Sequence, residues 1–164
     1  MKKIVLLSLI FVSIFVSGQE YKYAIGPRFS WGFGIDAKTY ISEKSAIEAA
    51  LDIQPSGFIL SGEYEYHLLA FDEDGLWWFM GGGPYIGLWG VKQHWENVED
   101  PTFIAGFVAI GGLEYNFPKK PLSLSFSLEP RYNLIGIQRF WAYGGVSLRY
   151  TFQAKEEEDE PVKE

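Results

Sequence analysis

Apolar and polar residues alternate along most of this sequence. From residue 122 to residue 134 the even positions are apolar and the odd positions are polar, and residues 140–152 alternate similarly, with Trp141 and Tyr143 blurring the start. Successive side chains of a β-strand point to opposite faces, so the alternation predicts strands with one apolar and one polar face. Each stretch has thirteen residues, whereas strands of soluble proteins usually have about five or six. The greater length matches the ~9–11 residues that a tilted strand needs to cross a bilayer.

The same pattern predicts eight strands. Residues typical of turns, mainly Gly, Pro, Asp and Lys, occupy most joints, and residues 90–102 form the one long loop. An even number of antiparallel strands with both termini at one end predicts an all-β fold, an eight-stranded antiparallel up-and-down transmembrane β-barrel. The predicted strands are Tyr21–Trp31, Ile35–Ser42, Ala46–Gln54, Phe58–His67, Leu76–Trp89, Phe103–Phe117, Leu122–Leu134 and Phe140–Phe152.

The width of such a barrel predicts which face points outward. Eight strands enclose a space only just wide enough for their own side chains, and the apolar set is too bulky to fit there. The opposite set is rich in Gly and Ser and carries charges of both signs. We therefore expect apolar side chains to contact lipid and charged ones to fill the lumen as a structural polar network. The predicted network comprises Arg28, Glu48, Asp52, Glu63, Glu65, Glu114, Glu129, Arg131 and Arg149, with Asp36 and Lys38 on the same faces.

Aromatic residues are concentrated near the predicted strand ends. Amphipathic rings favour the two membrane interfaces, so two girdles are expected. The girdle at the end with the long loop is predicted to contain Trp31, Phe33, Trp89, Phe140 and Trp141. The girdle at the end with the termini is predicted to contain Tyr23, Tyr64, Tyr66, Trp78, Tyr115, Phe117, Tyr150 and Phe152.

The two ends of the chain differ from the alternating region. Residues 1–18 combine Lys2 and Lys3 with an apolar run and small residues before Gln19, which is the layout of a secretory signal peptide. Residues 154–164 carry six acidic side chains and few apolar ones, a composition typical of a disordered tail. The barrel itself is assigned to residues 19–153.

Charge and cysteine content exclude several classes of protein. The chain has 21 acidic residues against 14 basic ones, a net charge of −7, and this balance argues against nucleic acid as a partner. The absence of Cys excludes a disulfide-stapled scaffold, a thiolate metal site and a Cys nucleophile.

Several segments resemble a known group of membrane proteins. They are Tyr23–Phe29, Tyr64–His67, Gly111–Tyr115 and the closing strand Phe140–Phe152. Together with the signal peptide and the eight alternating strands, they resemble the small eight-stranded outer-membrane β-barrels described as OmpX-like or porin-family, of the Bacteroidetes type. The resemblance implies a Gram-negative outer membrane as the location, its lipid as the surroundings, and the outer-membrane assembly machinery as a partner during biogenesis.

Candidate catalytic and metal-binding residues are few. Barrel lipid-modifying enzymes use a Ser with a His oriented by a third polar group. This chain has only His67 and His94, and neither lies in such an arrangement in the sequence. The acidic turn at residues 72–74 lacks the ligand spacing of a calcium loop. We therefore expect no catalytic residue, no bound cofactor and no metal site.

The expected function is that of a non-catalytic outer-membrane barrel with a structural or surface-interaction role and both termini in the periplasm. Binding residues concentrate on exposed loops, and the candidate surface loop carries Lys92, His94, Trp95 and Glu96. The alternatives are a narrow channel for ions or small solutes, a lipid-modifying outer-membrane enzyme, and a soluble lipocalin-like carrier, which the width of the barrel disfavours. The sequence identifies no surface or periplasmic partner.

Overall fold

The computed structural model describes residues 21–55, 57–71, 73–90, 92–93, 96–97, 102–136 and 138–152, with only the backbone for residues 92–93 and 96–97. The predicted signal peptide and acidic tail, with His94 and Trp95, lie outside the described residues. In chain order the strands are β1 (Tyr23–Phe29), β2 (Phe33–Tyr40), β3 (Ser45–Gln54), β4 (Gly57–Leu69), β5 (Leu76–Trp89), β6 (Lys92–Gln93), β7 (Glu96–Asn97), β8 (Thr102–Asn116), β9 (Leu122–Ile135) and β10 (Phe140–Phe152).

Eight of these strands close a barrel. Each pairs antiparallel with its neighbours in the chain order, and β1 pairs with β10 to complete the ring. The short strands β6 and β7 pair only with each other, within the loop between β5 and β8. The predicted eight-stranded antiparallel up-and-down fold is therefore confirmed. No described stretch of the chain contains a helix with the length and apolar character needed to cross a membrane.

Strand boundaries follow the alternation closely. Both β5 and β10 have the predicted bounds. Strand β1 is shorter than predicted at both ends, since it begins at Tyr23 and ends at Phe29, and β2 starts two residues earlier than predicted, at Phe33. Tyr21 is buried although its position in the alternation would place it outside. Because Tyr21 precedes β1, the alternation of side chains along the strand does not determine its direction. Its ring covers the end of the lumen.

Side-chain burial alternates around the barrel as expected. In β9, Glu129 and Arg131 are completely buried, whereas Phe126 and Leu128 are 55% and 62% exposed. The lumen therefore holds the polar face of the strands, and the apolar face lies on the outside. Exposed aromatic residues occur near both barrel ends, among them Trp31, Phe33, Phe140, Tyr23, Tyr64, Tyr66, Trp78 and Tyr115.

Two members of the predicted aromatic girdle are placed differently. Trp89 and Trp141 are partly buried and pack against an inward-facing apolar cluster at the long-loop end of the barrel, instead of pointing outward. The girdle prediction is wrong for these two residues, since Trp141 has the same strand parity as the buried Tyr143 and Arg149. The cluster contains Ile59, Tyr85, Ile104 and Val108.

The wall of the barrel requires close contact between β4 and β5. A Cβ atom on Gly83 would lie 1.9 Å from the Gly62 carbonyl oxygen and 3.0 Å from the Glu63 Cα, whereas a Cβ atom on Gly62 would meet nothing within 4 Å. Any side chain at residue 83 therefore forces the two strands apart, while Gly62 has open space on the outer face.

We predict that Gly83→Ala lowers the free energy of unfolding by about 1–3 kcal/mol, because the added methyl group overlaps backbone atoms that cannot rotate away. The matched substitution Gly62→Ala is expected to change it by no more than about 0.5 kcal/mol. Denaturant unfolding of the refolded protein in detergent micelles measures both values. Similar values for the two variants would contradict the close approach of β4 and β5.

Candidate functional site

Nearly all the charged residues of the barrel strands point into the lumen. The structure places all nine residues of the predicted network inside the barrel, together with Asp36 and Lys38, and each is at most 2% exposed. They come from every barrel strand except β5, whose sequence contains no charged residue. Strand alternation explains this arrangement, because one face of each strand points to the barrel axis.

Arg149 lies at the centre of the network. Its Nε and Nη2 atoms donate to the two carboxylate oxygens of Asp36, both at 2.8 Å. Nη2 also donates to Glu48 Oε2 at 2.8 Å, and Nη1 donates to Glu114 Oε2 at 3.3 Å and to Ser125 Oγ at 3.0 Å. One guanidinium therefore joins four strands, β2, β3, β8 and β9, to β10.

Arg28 makes a similar bridge towards the long-loop end. Its guanidinium donates to Asp52 Oδ1 and Glu48 Oε1, each at 3.2 Å, and to Glu129 Oε1. Arg131 donates to the other oxygen of Glu129 at 3.0 Å. Charge-assisted bonds of this kind fix the distances between the strands as well as neutralising the buried carboxylates.

Aromatic rings surround Arg131 next to the apolar cluster. The guanidinium carbon lies 5.0 Å from the ring centroids of Tyr85 and Tyr143 and 5.9 Å from that of Trp141. A cation over aromatic faces gains electrostatic stabilisation, and more when water is excluded. Tyr85 belongs to the apolar cluster of Ile59, Tyr85, Ile104 and Val108, and Trp141 packs against it, so these rings connect the charged part of the lumen to the cluster.

Lys38 contacts the carboxylates that lie nearer the end of the barrel where the chain termini are. Its ammonium nitrogen lies 2.6 Å from Glu65 Oε2, 2.9 Å from Glu114 Oε2 and 3.0 Å from Glu48 Oε2. It also lies 4.8 Å from the ring centroid of Phe79. The single ammonium group thus contacts three carboxylates, so their negative charges are only partly balanced at this position.

A hydrogen-bonded set of residues follows at the terminal end of the lumen. His67 Nε2 is 2.9 Å from Glu65 Oε2, and His67 Nδ1 is 3.0 Å from the Tyr40 hydroxyl. The Tyr21 hydroxyl donates to Glu114. Burial, reinforced by the Glu114 carboxylate, raises the pKa of Tyr21 well above its ordinary value, so its hydroxyl is a neutral donor. Each ring nitrogen of His67 thus has one structural contact, Nε2 with Glu65 and Nδ1 with Tyr40.

One acidic group in the lumen differs from the rest. One carboxylate oxygen from each of Glu48, Glu63 and Glu65 lies within 4.8 Å of the others, and all three side chains are buried. The sequence pattern predicts these residues as members of a lumen network and does not distinguish them as a possible ligand set. Their proximity follows from the pairing of β3 with β4, which places Glu48 directly opposite Glu63.

The contribution of tyrosine residues was missed by the sequence analysis. Tyr21, Tyr40, Tyr85 and Tyr143 face the lumen and contact its charged residues. The strand parity of Tyr85 and Tyr143 indicates an inward position. The candidate surface loop is described only as far as the pairing of β6 with β7, so the side chains of Lys92, His94, Trp95 and Glu96 lie outside the described residues.

Comparison with known proteins places the fold in a defined class. The chain is similar to the crystal structure of the N-terminal β-barrel domain of Pseudomonas aeruginosa OprF, with a TM-score of 0.59 and 15% sequence identity. The similarity covers 80% of this chain and 100% of that domain. No protein-family model matches the chain, and no curated protein matches it significantly. The shared feature is therefore the fold, a closed eight-stranded β-barrel.

Proposed function

We propose that this chain is an integral protein of a bacterial outer membrane, with a structural or surface-interaction role and no catalytic activity. The observation that carries the proposal is the belt of large apolar side chains on the outside of the barrel. Soluble monomers rarely expose apolar patches larger than a few hundred Å², whereas this belt includes residues on every barrel strand. Membrane-spanning barrels have an apolar outer band of this kind.

The interior of the barrel supports the same proposal. Lipid offers no hydrogen bonds, so a spanning structure must satisfy its backbone internally, and a closed barrel does so without an exposed edge. Here β1 and β10 close the ring. The ion pairs of Arg28, Lys38 and Arg149 lie within that ring, away from the apolar surface.

The proposed absence of catalysis is supported by the placement of His67. Its side chain is fully buried, and each ring nitrogen has a hydrogen-bond contact, one with Tyr40 and one with Glu65. A general base must reach the proton that it removes from a substrate. The buried ring of His67, with a hydrogen-bond contact at each nitrogen, favours a structural role.

Surface interaction is assigned to the loop that contains β6 and β7, because binding residues concentrate on loops carried by a rigid scaffold.

The proposed orientation follows from the distribution of the connections. The first and last barrel strands place Tyr23 and Phe152 side by side at one end, where residues 41–44, 70–75 and 117–121 also connect strands. The longest connection, residues 90–101, lies at the opposite end. Outer-membrane barrels have short periplasmic turns and longer extracellular loops. Both termini are therefore assigned to the periplasm.

A narrow channel is the second candidate function. It is favoured by the column of polar and charged groups between the terminal end and Arg131. The apolar cluster of Ile59, Tyr85, Ile104 and Val108, with Trp141 against it, works against ion flow at the other end. Defined single-channel steps from the purified protein in planar bilayers would favour this candidate over the structural one.

Because the chain has no Cys, single cysteine variants test both location and orientation. We expect Lys92→Cys to react with a membrane-impermeant maleimide on intact cells, and Glu43→Cys, in the exposed turn at the other end, to react only after the outer membrane is opened. Both variants should sediment with the outer membrane and require detergent for extraction. Recovery of the protein in the soluble periplasmic fraction, or equal labelling of both positions on intact cells, would overturn the proposal.

A further inference from the structure

Three glutamates in the lumen lie close together, and Glu63 is the member of this group without an ion pair to a described residue. Glu48 on β3 is directly opposite Glu63 on β4, and Glu65 is the next inward position along β4. One oxygen from each carboxylate lies within 4.8 Å of the other two. Like charges directly opposite each other on neighbouring strands are destabilising, and the repulsion grows where water is excluded.

The hydrogen bonding of β4 is incomplete at the same place. Both carboxylate oxygens of Glu63, the Oε1 atom of Glu65 and the hydroxyl oxygen of Ser61 have no hydrogen-bond partner among the described residues. Glu63 is 1% exposed and Ser61 is 3% exposed. These four oxygens belong to three consecutive inward positions of one strand. Buried polar groups are nearly always partnered, so these oxygens are available to a bound ion or to water.

Strand β5 places no charged side chain beside these oxygens. Glu65 is paired in register with Gly81 of β5, and the backbone of Gly83 lies next to that of Glu63. Neither glycine places a side chain in the lumen, and β5 carries no charged residue that could neutralise Glu63. A counterion for Glu63 therefore does not come from the side chains of β5.

The overall charge of the lumen shows the same imbalance. Among the described residues, seven buried carboxylates face four buried Lys and Arg side chains and His67. The cations Arg28, Arg149 and Lys38 contact Glu48, and Lys38 contacts Glu65. No ion pair within the described part of the chain reaches Glu63. Among the seven buried carboxylates of the described residues, Glu63 alone has no ion-pair contact with a Lys or Arg side chain.

We propose that the lumen binds one hard cation, of the Ca²⁺ or Mg²⁺ class, at Glu63 and Glu65, with Glu48 as the third carboxylate of the site. All the offered donors are oxygen atoms, which these cations prefer, and Ca²⁺ accepts irregular arrangements of six to eight oxygens, water included. Lys38 holds the Oε2 atom of Glu65 at 2.6 Å, which leaves Oε1 for the ion. The site does not depend on the membrane in which the barrel resides.

The test uses the full chain unfolded with a chelator and refolded in detergent with CaCl2 alone, with MgCl2 alone, or with the chelator. After free ions are removed, elemental analysis is expected to find about one retained Ca²⁺ or Mg²⁺ per chain, and the retained ion should raise the unfolding temperature. Glu63→Gln should lose both the retained ion and the ion-dependent rise. Its unfolding temperature in chelator should be at least that of the unsubstituted protein, because the substitution removes the repulsion from Glu48.

The matched control is Glu73→Gln, in the exposed acidic turn between β4 and β5, which should retain the ion like the unsubstituted protein. The proposal is overturned if the unsubstituted protein retains no ion and its unfolding temperature is the same with and without chelator, since Glu63 would then be neutralised by a proton. It is equally overturned if Glu63→Gln retains the ion as the unsubstituted protein and Glu73→Gln do. Neither result bears on membrane location, which the cysteine labelling tests separately.

Discussion

Arg149→Leu is expected to lower the free energy of unfolding of the barrel by about 3–5 kcal/mol, the loss typical of removing one partner from a buried ion pair. The substitution leaves Asp36, Glu48 and Glu114 without the guanidinium that contacts all three. Leucine supplies no donor, and the carboxylates remain inside a closed wall. The temperature at which the folded band disappears in a semi-native gel, together with denaturant unfolding in micelles, measures the loss.

Two further variants separate this charge effect from the loss of an arginine as such. Arg139→Leu removes an exposed arginine between β9 and β10, and it should leave the unfolding temperature almost unchanged. Asp36→Asn combined with Arg149→Leu should be less damaging than Arg149→Leu alone, because the uncompensated carboxylate is removed together with its cation. Additive losses in the double variant would contradict the coupling between Asp36 and Arg149.

The strands were predictable because each one lies between two different surroundings. Outward positions carry apolar side chains and inward positions face a narrow polar lumen, so the sequence alternates along each strand of the wall. The match is closest for β5 and β10, whose bounds were predicted to the residue. It is poorest at Tyr21, where the chain has left the ladder and the period of two no longer constrains the side chain.

The partners within the lumen were not predictable from the sequence. Arg149 and Asp36 are 113 positions apart, and they meet because β1 pairs with both β10 and β2. Alternation identifies which residues face inward, but the height of each residue along the barrel depends on the register of every strand pair. The isolation of Glu63 has the same origin, since it depends on Glu48 being opposite and on the glycines of β5.

Trp89 and Trp141 illustrate a second limit on prediction. A tryptophan near a strand end fits a membrane interface, and it equally fits the inner face of the barrel end, where Trp89 and Trp141 pack against the apolar cluster. The parity of Trp141 with Tyr143 and Arg149 indicates the lumen. Position along the strand alone indicated the interface. Parity is the better guide because it follows directly from strand geometry.

Leu128→Arg is expected to weaken folding into a bilayer by about 2–4 kcal/mol, and Leu134→Arg by no more than about 1 kcal/mol, because the cost of an arginine on the lipid face depends on its depth. Both residues point outward from β9 and are similarly exposed, at 62% and 65%. They differ in height, since Leu128 is in the middle of the strand and Leu134 is one residue from its end.

Denaturant titration of folding into lipid vesicles measures both substitutions against the unsubstituted protein. In water, an exposed leucine replaced by arginine costs little at either height, so a barrel that resided in solution would show two small and equal effects. A large loss for Leu128→Arg alone has one physical cause, the transfer of a charged group into the apolar centre of a bilayer. Because both sites share a strand, a face and an exposure, the difference between the two variants tests the membrane assignment apart from the stability of the fold.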